Sequence, residues 1–257
     1  MAKNKKSLKK VQAKSKQKMD KLTGLFAFGC VAEVLLFVVH QFYTQGTGAQ
    51  MMNMARVLAV MPVVGIVLLV GGVVIHRGEM ERIRPLGVYV AGMGAFLALL
   101  GPLCLKVNSG AAGLLAAVVP TVMLLAVVFD LYTREFFWLA LNAAVAMDAI
   151  WYWNRFGSIA YLRFSALVLM VLALVVAVAV IALTVLSAKT KGVASVRGCK
   201  IRMLEGSAVK PAMLAAHGLT LAALVVALVS GGLAVYCLMV LGVMLFVSAA
   251  YFTLTAL

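Results

Sequence analysis

Charged residues are scarce in this chain, and acidic residues are the scarcest. Only 12% of the residues are charged, and eight Asp and Glu stand against 23 Lys and Arg. Hydrophobic residues make up 65% of the sequence. They form runs of about twenty residues, each long enough to cross a hydrocarbon core roughly 30 Å thick. The composition excludes an ordinary soluble domain and predicts a polytopic membrane protein.

Motifs for catalysis and ligand binding are also missing. The sequence contains no P-loop, no H-E-x-x-H and no G-x-S-x-G, and its four cysteines stand singly without C-x-x-C spacing. These absences exclude an ATPase with its own nucleotide site and give no sign of a protease, a lipase, a zinc site or a redox site. We therefore expect no catalytic residue, no metal and no cofactor.

Eight apolar runs predict an all-α bundle of eight transmembrane helices. The runs cover residues 22–43, 57–75, 86–105, 111–129, 136–153, 164–187, 212–230 and 233–254. The last two form one stretch that is too long for a single crossing, and Ser230-Gly231-Gly232 is the turn-competent break within it. Strands are disfavoured because the runs lack an alternation of period two and an open sheet edge is not hydrated in lipid.

The distribution of Lys and Arg predicts that both ends of the chain are cytoplasmic. With the N-terminus inside, 19 of the 23 Lys and Arg fall in cytoplasmic segments, as the positive-inside rule requires. The aromatic cluster 151–153 closes the fifth span and is expected to form an interfacial belt. A signal peptide that ends near residue 49 is the alternative for the first run. That run is longer than the usual 7 to 15 residues and contains Glu33 and His40, which disfavours the alternative.

Two kinds of segment are predicted. Residues 1–21 contain nine Lys and form a basic cytoplasmic segment, while residues 22–257 form a transmembrane helical domain whose longest cytoplasmic loop is 188–211.

The bilayer is the main partner, and anionic lipid attracts the N-terminal Lys at about 1 kcal/mol each. No stacking aromatics accompany the basic residues, so we expect no nucleic-acid partner. A membrane or cytoplasmic protein could also bind these basic segments. The compact chain is typical of the cell membrane, in particular a bacterial inner membrane.

Glu33 is the most costly residue to place in the predicted bundle. It lies about eleven residues into the first span, near the midplane, where an ionised residue costs about 2.5 to 3.5 kcal/mol. Such a group usually faces the bundle or a water-filled cavity, so Glu33 is the main functional candidate. His40 lies two turns further along the same face. A structural role is the alternative, with Glu33 either simply protonated or hydrogen-bonded to Asn142, a Thr or a backbone carbonyl.

Other polar residues could extend this site. The fifth span supplies Asn142 and Asp148, and Asp148 should point inward from a face of small residues. Asp130 and His217 lie toward the cytoplasmic ends of their spans. Together with the carboxylate of the first span, these side chains could form a ladder for a proton or a cation. His40, Asp130 and His217 are nevertheless expected at the interfaces rather than in a site.

Three prolines are expected to affect the predicted helices. Pro62, Pro102 and Pro120 should interrupt or end the second, third and fourth spans. A broken helix exposes carbonyl groups that can coordinate an ion or let the helix bend.

The favoured hypothesis is a small permease or permease-like subunit with Glu33 as its central titratable group. The alternative is a non-transporting scaffold or accessory protein that organises partners through the basic N-terminus and the loop 188–211. A deep aqueous cavity that reaches Glu33 would favour transport, and a dry, fully packed bundle would favour the scaffold.

Overall fold

The structure is a computed structural model. It describes residues 23–78, 84–107, 109–190, 193–196, 199–202 and 211–256. The basic segment predicted at 1–21 lies outside the described residues.

Within the described residues, eight helices are long and apolar enough to cross a membrane, which confirms the predicted all-α, multi-pass membrane fold. They are α1 (Thr23–Tyr43), α2 (Gly48–Arg77), α3 (Arg84–Val107), α4 (Ser109–Leu131), α5 (Arg134–Phe156), α6 (Ala160–Lys189), α7 (Pro211–Val229) and α8 (Ala234–Ala256). The predicted break between the last two spans is also confirmed, since Ser230 lies outside both helices and a 3₁₀ turn covers Gly231–Leu233. Between α6 and α7, in the loop predicted at 188–211, β1 (Val193–Val196) pairs antiparallel with β2 (Cys199–Arg202). This hairpin was not among the predicted elements.

The helix α2 begins nine residues before the predicted span, at Gly48. The backbone N–H of Thr47 donates a hydrogen bond of 2.8 Å to Gln50 Oε1, which is the return hydrogen bond of a capping box. Both α2 and α6 contain 30 residues and are therefore about 45 Å long at 1.5 Å per residue. Helices of this length extend beyond the hydrocarbon core or tilt within it.

The prediction that three prolines interrupt or end their spans is wrong. Pro62, Pro102 and Pro120 lie inside α2, α3 and α4. Membrane helices tolerate such prolines because neighbouring helices and local adjustments compensate for the lost hydrogen bond. Pro62 illustrates this support, because its ring lies against α3 at Gly101, where an added Cβ would come within 2.8 Å of the Pro62 Cδ.

The chain divides into two compact units, Met1–Met123 and Leu124–Leu257. The boundary falls within α4, and each unit has its own core. A single transmembrane domain over 22–257 stays a prediction.

The first unit is organised around the close pairing of α2 with α3. A Cβ added to Gly65 would lie 2.6 Å from the carbonyl oxygen of Gly94, and a Cβ added to Gly72 would lie 2.7 Å from that of Gly87. Both distances are shorter than side chains tolerate, so glycine is required for the two backbones to meet. The two glycines of each helix are seven residues apart, so the same contact occurs twice along these antiparallel helices. The apolar core beside the pair is formed by Leu36, Val39, Leu58, Leu100, Cys104, Ala111 and Ala112.

The second unit is a bundle of α5, α6, α7 and α8, in which α5 contacts all three other helices. Half of the α5 span is buried, the largest share among the eight spans. Alanines allow the helices to approach closely along much of this core. The core includes Ala146, Ala149, Ala173, Ala177, Ala223, Leu224 and Ala227.

The aromatic belt predicted at 151–153 is wrong for Tyr152. This side chain is only 1% exposed and lies inside the second unit. Its hydroxyl is 3.4 Å from Ser165 Oγ on α6. Tyr152 lies inside because its position on α5 faces the neighbouring helices.

Candidate functional site

All fully buried polar side chains among the described residues belong to the second unit. They are Glu135 and Asn142 on α5, Thr184 and Ser187 on α6, and His217 and Thr220 on α7. The α5 residues lie in the first half of their helix, the α7 residues between its start and its middle, and the α6 residues near the end of theirs. The six therefore lie in the same half of the bundle. The three hydroxyl groups each donate to a carbonyl of their own helix. These hydroxyls are therefore satisfied locally.

Asn142 and His217 form a hydrogen bond between α5 and α7. The Asn142 Nδ2 and the His217 Nδ1 are 3.1 Å apart, and the two side chains are 1% and 0% exposed. When the amide donates to Nδ1, the proton of the neutral imidazole lies on Nε2. Neither Asn142 Oδ1 nor His217 Nε2 has a hydrogen-bond partner within the described part of the chain. The pair therefore joins two helices and leaves one acceptor and one ring nitrogen for a further hydrogen bond.

The burial of this pair was not predicted. His217 is fully buried because α7 packs between α5, α6 and α8, and its predicted position near a membrane interface stays a prediction. Asn142 was considered as a partner for Glu33, but its amide nitrogen contacts His217 instead.

Glu33 lies at the edge of the packed face of α1, in the first unit. Gly29 and Leu36 on that face are buried, while Phe37 on the other side of Glu33 is 67% exposed. Gly29 is covered by the side chain of Met123 from α4. Glu33 itself is half-buried, and its Oε1 is enclosed without a hydrogen-bond partner among the residues that the structure describes. A carboxyl group in this position can take up a proton or a cation without breaking a hydrogen bond at Oε1.

The remaining predicted site residues are half-buried. His40 begins a π-helical turn that ends α1, and such turns often occur at functional sites. Asp130 and Asp148 lie on α4 and α5 in the second unit. His40 and Asp148 each interact with a neighbouring group. The predicted ladder draws on residues of both units and stays a prediction.

Glu135 is a buried polar residue that the sequence analysis missed. It is 3% exposed and lies in the first turn of α5. Thr133 caps this helix, since its Oγ1 accepts a hydrogen bond of 3.4 Å from the Phe136 N–H. A Thr followed by an acidic residue before an apolar run is a signal for a helix start. The predicted span began at 136 and therefore left Glu135 outside.

Surface grooves occur in the described regions, and two of them are well defined by their lining residues. One of about 530 Å³ lies between α1, α2 and α3, and one of about 410 Å³ lies beside the end of α8. Glu33, Asn142 and His217 line neither of them. Neither groove is therefore the aqueous cavity at Glu33 that the sequence analysis names as the sign of a transporter. Among the described side chains, no group of three or more His, Cys, Asp or Glu could hold a metal ion.

No family model, no curated protein and no solved structure matches the chain.

Proposed function

We propose that the protein is a small membrane permease or permease-like subunit in which Glu33 is the titratable group. The enclosed and unpartnered Oε1 of Glu33 carries this proposal. A carboxylate inside a membrane span costs about 2.5 to 3.5 kcal/mol, and a purely structural one would offset that cost with hydrogen bonds to its neighbours. Glu33 Oε1 makes no such bond within the described residues, so a role in packing explains the residue poorly.

The position of Glu33 suits a group that exchanges protons. The side chain lies between the packed face and the exposed face of α1, so a change of rotamer moves the carboxyl group between these two environments. A proton can bind the enclosed oxygen without breaking a hydrogen bond there. Protonation would thereby couple to movement of a small solute across the membrane, and a bacterial inner membrane fits the distribution of Lys and Arg.

The Asn142–His217 pair supports this function by fixing α5 against α7. A hydrogen bond between membrane helices is worth about 0.6 kcal/mol on average and up to about 1.7. The second unit would then supply a rigid frame, and the first unit the group that titrates.

Uptake by proteoliposomes tests the proposal. The full chain is reconstituted, a pH gradient is imposed, and a panel of labelled small solutes is screened with the wild type and with Glu33→Gln. Gln keeps the shape of Glu but cannot exchange a proton, so the variant should fold and lose pH-dependent uptake. Glu135→Gln is the matched control, because it removes a buried carboxyl group that the proposal does not use.

Full pH-dependent uptake by Glu33→Gln would overturn the proposed role of Glu33. Absence of uptake by the wild type for every solute of the panel would favour the second candidate function.

That second candidate is a non-transporting scaffold or accessory protein, and the β1–β2 hairpin favours it. The hairpin gives the loop between α6 and α7 an ordered element, and β2 contains Lys200 and Arg202. Crosslinking in native membranes would test this function. A crosslinked partner that is lost in Lys200→Glu/Arg202→Glu, but retained in Lys189→Glu, would support the scaffold.

A further inference from the structure

The groove of about 530 Å³ in the first unit has one charged end. It is lined by Arg56, Val57, Val60 and Val64 of α2, together with Leu35 of α1 and Leu97 of α3. All of these side chains except Arg56 are apolar. We call this surface the Arg56 groove.

The α2 residues follow one face of the helix. Arg56 immediately precedes the long apolar run of α2, and Val64 lies eight residues further on, about 12 Å along the axis. Val57, Val60 and Val64 remain 49%, 58% and 45% exposed. The groove is therefore cationic at the boundary of the apolar run and apolar along the rest of its length.

Arg56 itself is exposed and takes part in no hydrogen bond or ion pair within the described part of the protein. Among the described residues that line the groove, none is acidic. The aliphatic part of an arginine packs along apolar surface while its guanidinium group remains at the polar boundary. The planar guanidinium group also matches the geometry of a phosphate.

We propose that the Arg56 groove binds an anionic phospholipid. The phosphate lies at Arg56 and an acyl chain follows Val57, Val60 and Val64. A lipid with net negative charge is favoured because the groove presents a positive charge and no carboxylate to bind the cationic part of a zwitterionic headgroup. This inference does not depend on the proposed transport function.

The Arg56 groove combines a concave apolar surface with a cation at one end. Bulk lipid contacts every exposed apolar face of a membrane protein without preference for a headgroup. Side chains of three helices form the walls of the Arg56 groove, and the guanidinium group of Arg56 lies at one end. The groove should therefore hold a lipid and prefer one with a negatively charged headgroup.

Native mass spectrometry of the full chain in detergent tests the proposal. The protein is titrated with an equimolar mixture of phosphatidylglycerol and phosphatidylcholine, and the retained lipid is counted. The wild type should retain phosphatidylglycerol preferentially, and Arg56→Gln should reduce that retention by about tenfold. Val60→Trp fills the groove while keeping Arg56 and should reduce retention to a similar extent.

Arg163→Gln is the matched control, because Arg163 is an exposed arginine of α6 that does not line the groove. It should retain phosphatidylglycerol as the wild type does. Equal losses in Arg163→Gln and Arg56→Gln would show attraction to surface charge in general and would overturn the proposal. Unchanged retention in both Arg56→Gln and Val60→Trp, or equal retention of the two lipids by the wild type, would also overturn it.

Discussion

The two units of this membrane protein bring their helices together by different means. In the first unit, α2 and α3 approach until their backbones meet at glycines such as Gly65 and Gly94. In the second unit, alanine-rich faces pack around α5, and the buried Asn142–His217 hydrogen bond joins α5 to α7. In the first unit, the close approach of α2 and α3 depends on glycines, which have no side chain. In the second unit, polar side chains lie in the core.

The polar residues of the two units also differ in their hydrogen bonds. Asn142 and His217 are buried and bonded to each other, so they have a structural role whatever else they do. Glu33 is half-buried, and its enclosed oxygen has no hydrogen-bond partner within the described residues. A polar group that is costly and contributes nothing to packing is the better candidate for function.

The largest effect is expected from an added methyl group between α2 and α3. Gly72→Ala should lower the free energy of unfolding by about 2 to 3 kcal/mol, because its Cβ would meet the backbone of α3 at Gly87. The adjacent Gly71 has nothing within 4 Å of an added Cβ, so Gly71→Ala should leave the free energy of unfolding unchanged or raise it by up to about 1 kcal/mol. Reversible unfolding in mixed micelles measures both. Equal losses for the two variants would show that helix flexibility, and not close approach, explains these glycines.

A smaller effect is expected at the polar pair of the second unit. Asn142→Leu should cost about 1 to 3 kcal/mol, because it leaves the buried His217 Nδ1 without its partner. A double-mutant cycle with His217→Leu should give a coupling energy of about 0.6 to 1.7 kcal/mol. A coupling energy of zero would mean that the two side chains stabilise the unit independently.

The smallest loss is expected at Thr220, one turn after His217. Its hydroxyl donates to the Ala216 carbonyl of its own helix at 2.9 Å. Because this bond does not join helices, Thr220→Val should change the free energy of unfolding by less than about 0.5 kcal/mol. Chemical unfolding of Thr220→Val beside Asn142→Leu makes the comparison. A loss as large as that of Asn142→Leu would indicate that Thr220 contacts another helix.

The sequence predicts the eight spans because each depends on local information. A membrane helix satisfies its own backbone hydrogen bonds, so an apolar run of sufficient length predicts a crossing wherever its neighbours lie. The break at Ser230 is equally local. The start of α2 at Gly48 could also have been predicted from the sequence, since Thr47 and Gln50 have the spacing of a capping box.

Contacts between helices could not be predicted in this way. Asn142 and His217 are 75 residues apart, and their contact depends on which faces of α5 and α7 meet. The glycines opposite each other on α2 and α3 require a particular antiparallel register. Glu33 was recognisable as costly from its depth in an apolar run, but its lack of a hydrogen-bond partner at Oε1 depends on the packing around α1.

The central claim is that Glu33 contributes nothing to the stability of the fold, and the free energy of unfolding of Glu33→Leu tests it most directly. Replacing an unpartnered polar group by an apolar one of similar size is often neutral or stabilising. Glu33→Leu should therefore leave the free energy of unfolding unchanged or raise it by up to about 1 kcal/mol, while Asn142→Leu lowers it in the same assay. If Glu33→Leu lowers the free energy of unfolding as much as Asn142→Leu does, Glu33 is a packing residue, and the claim is contradicted.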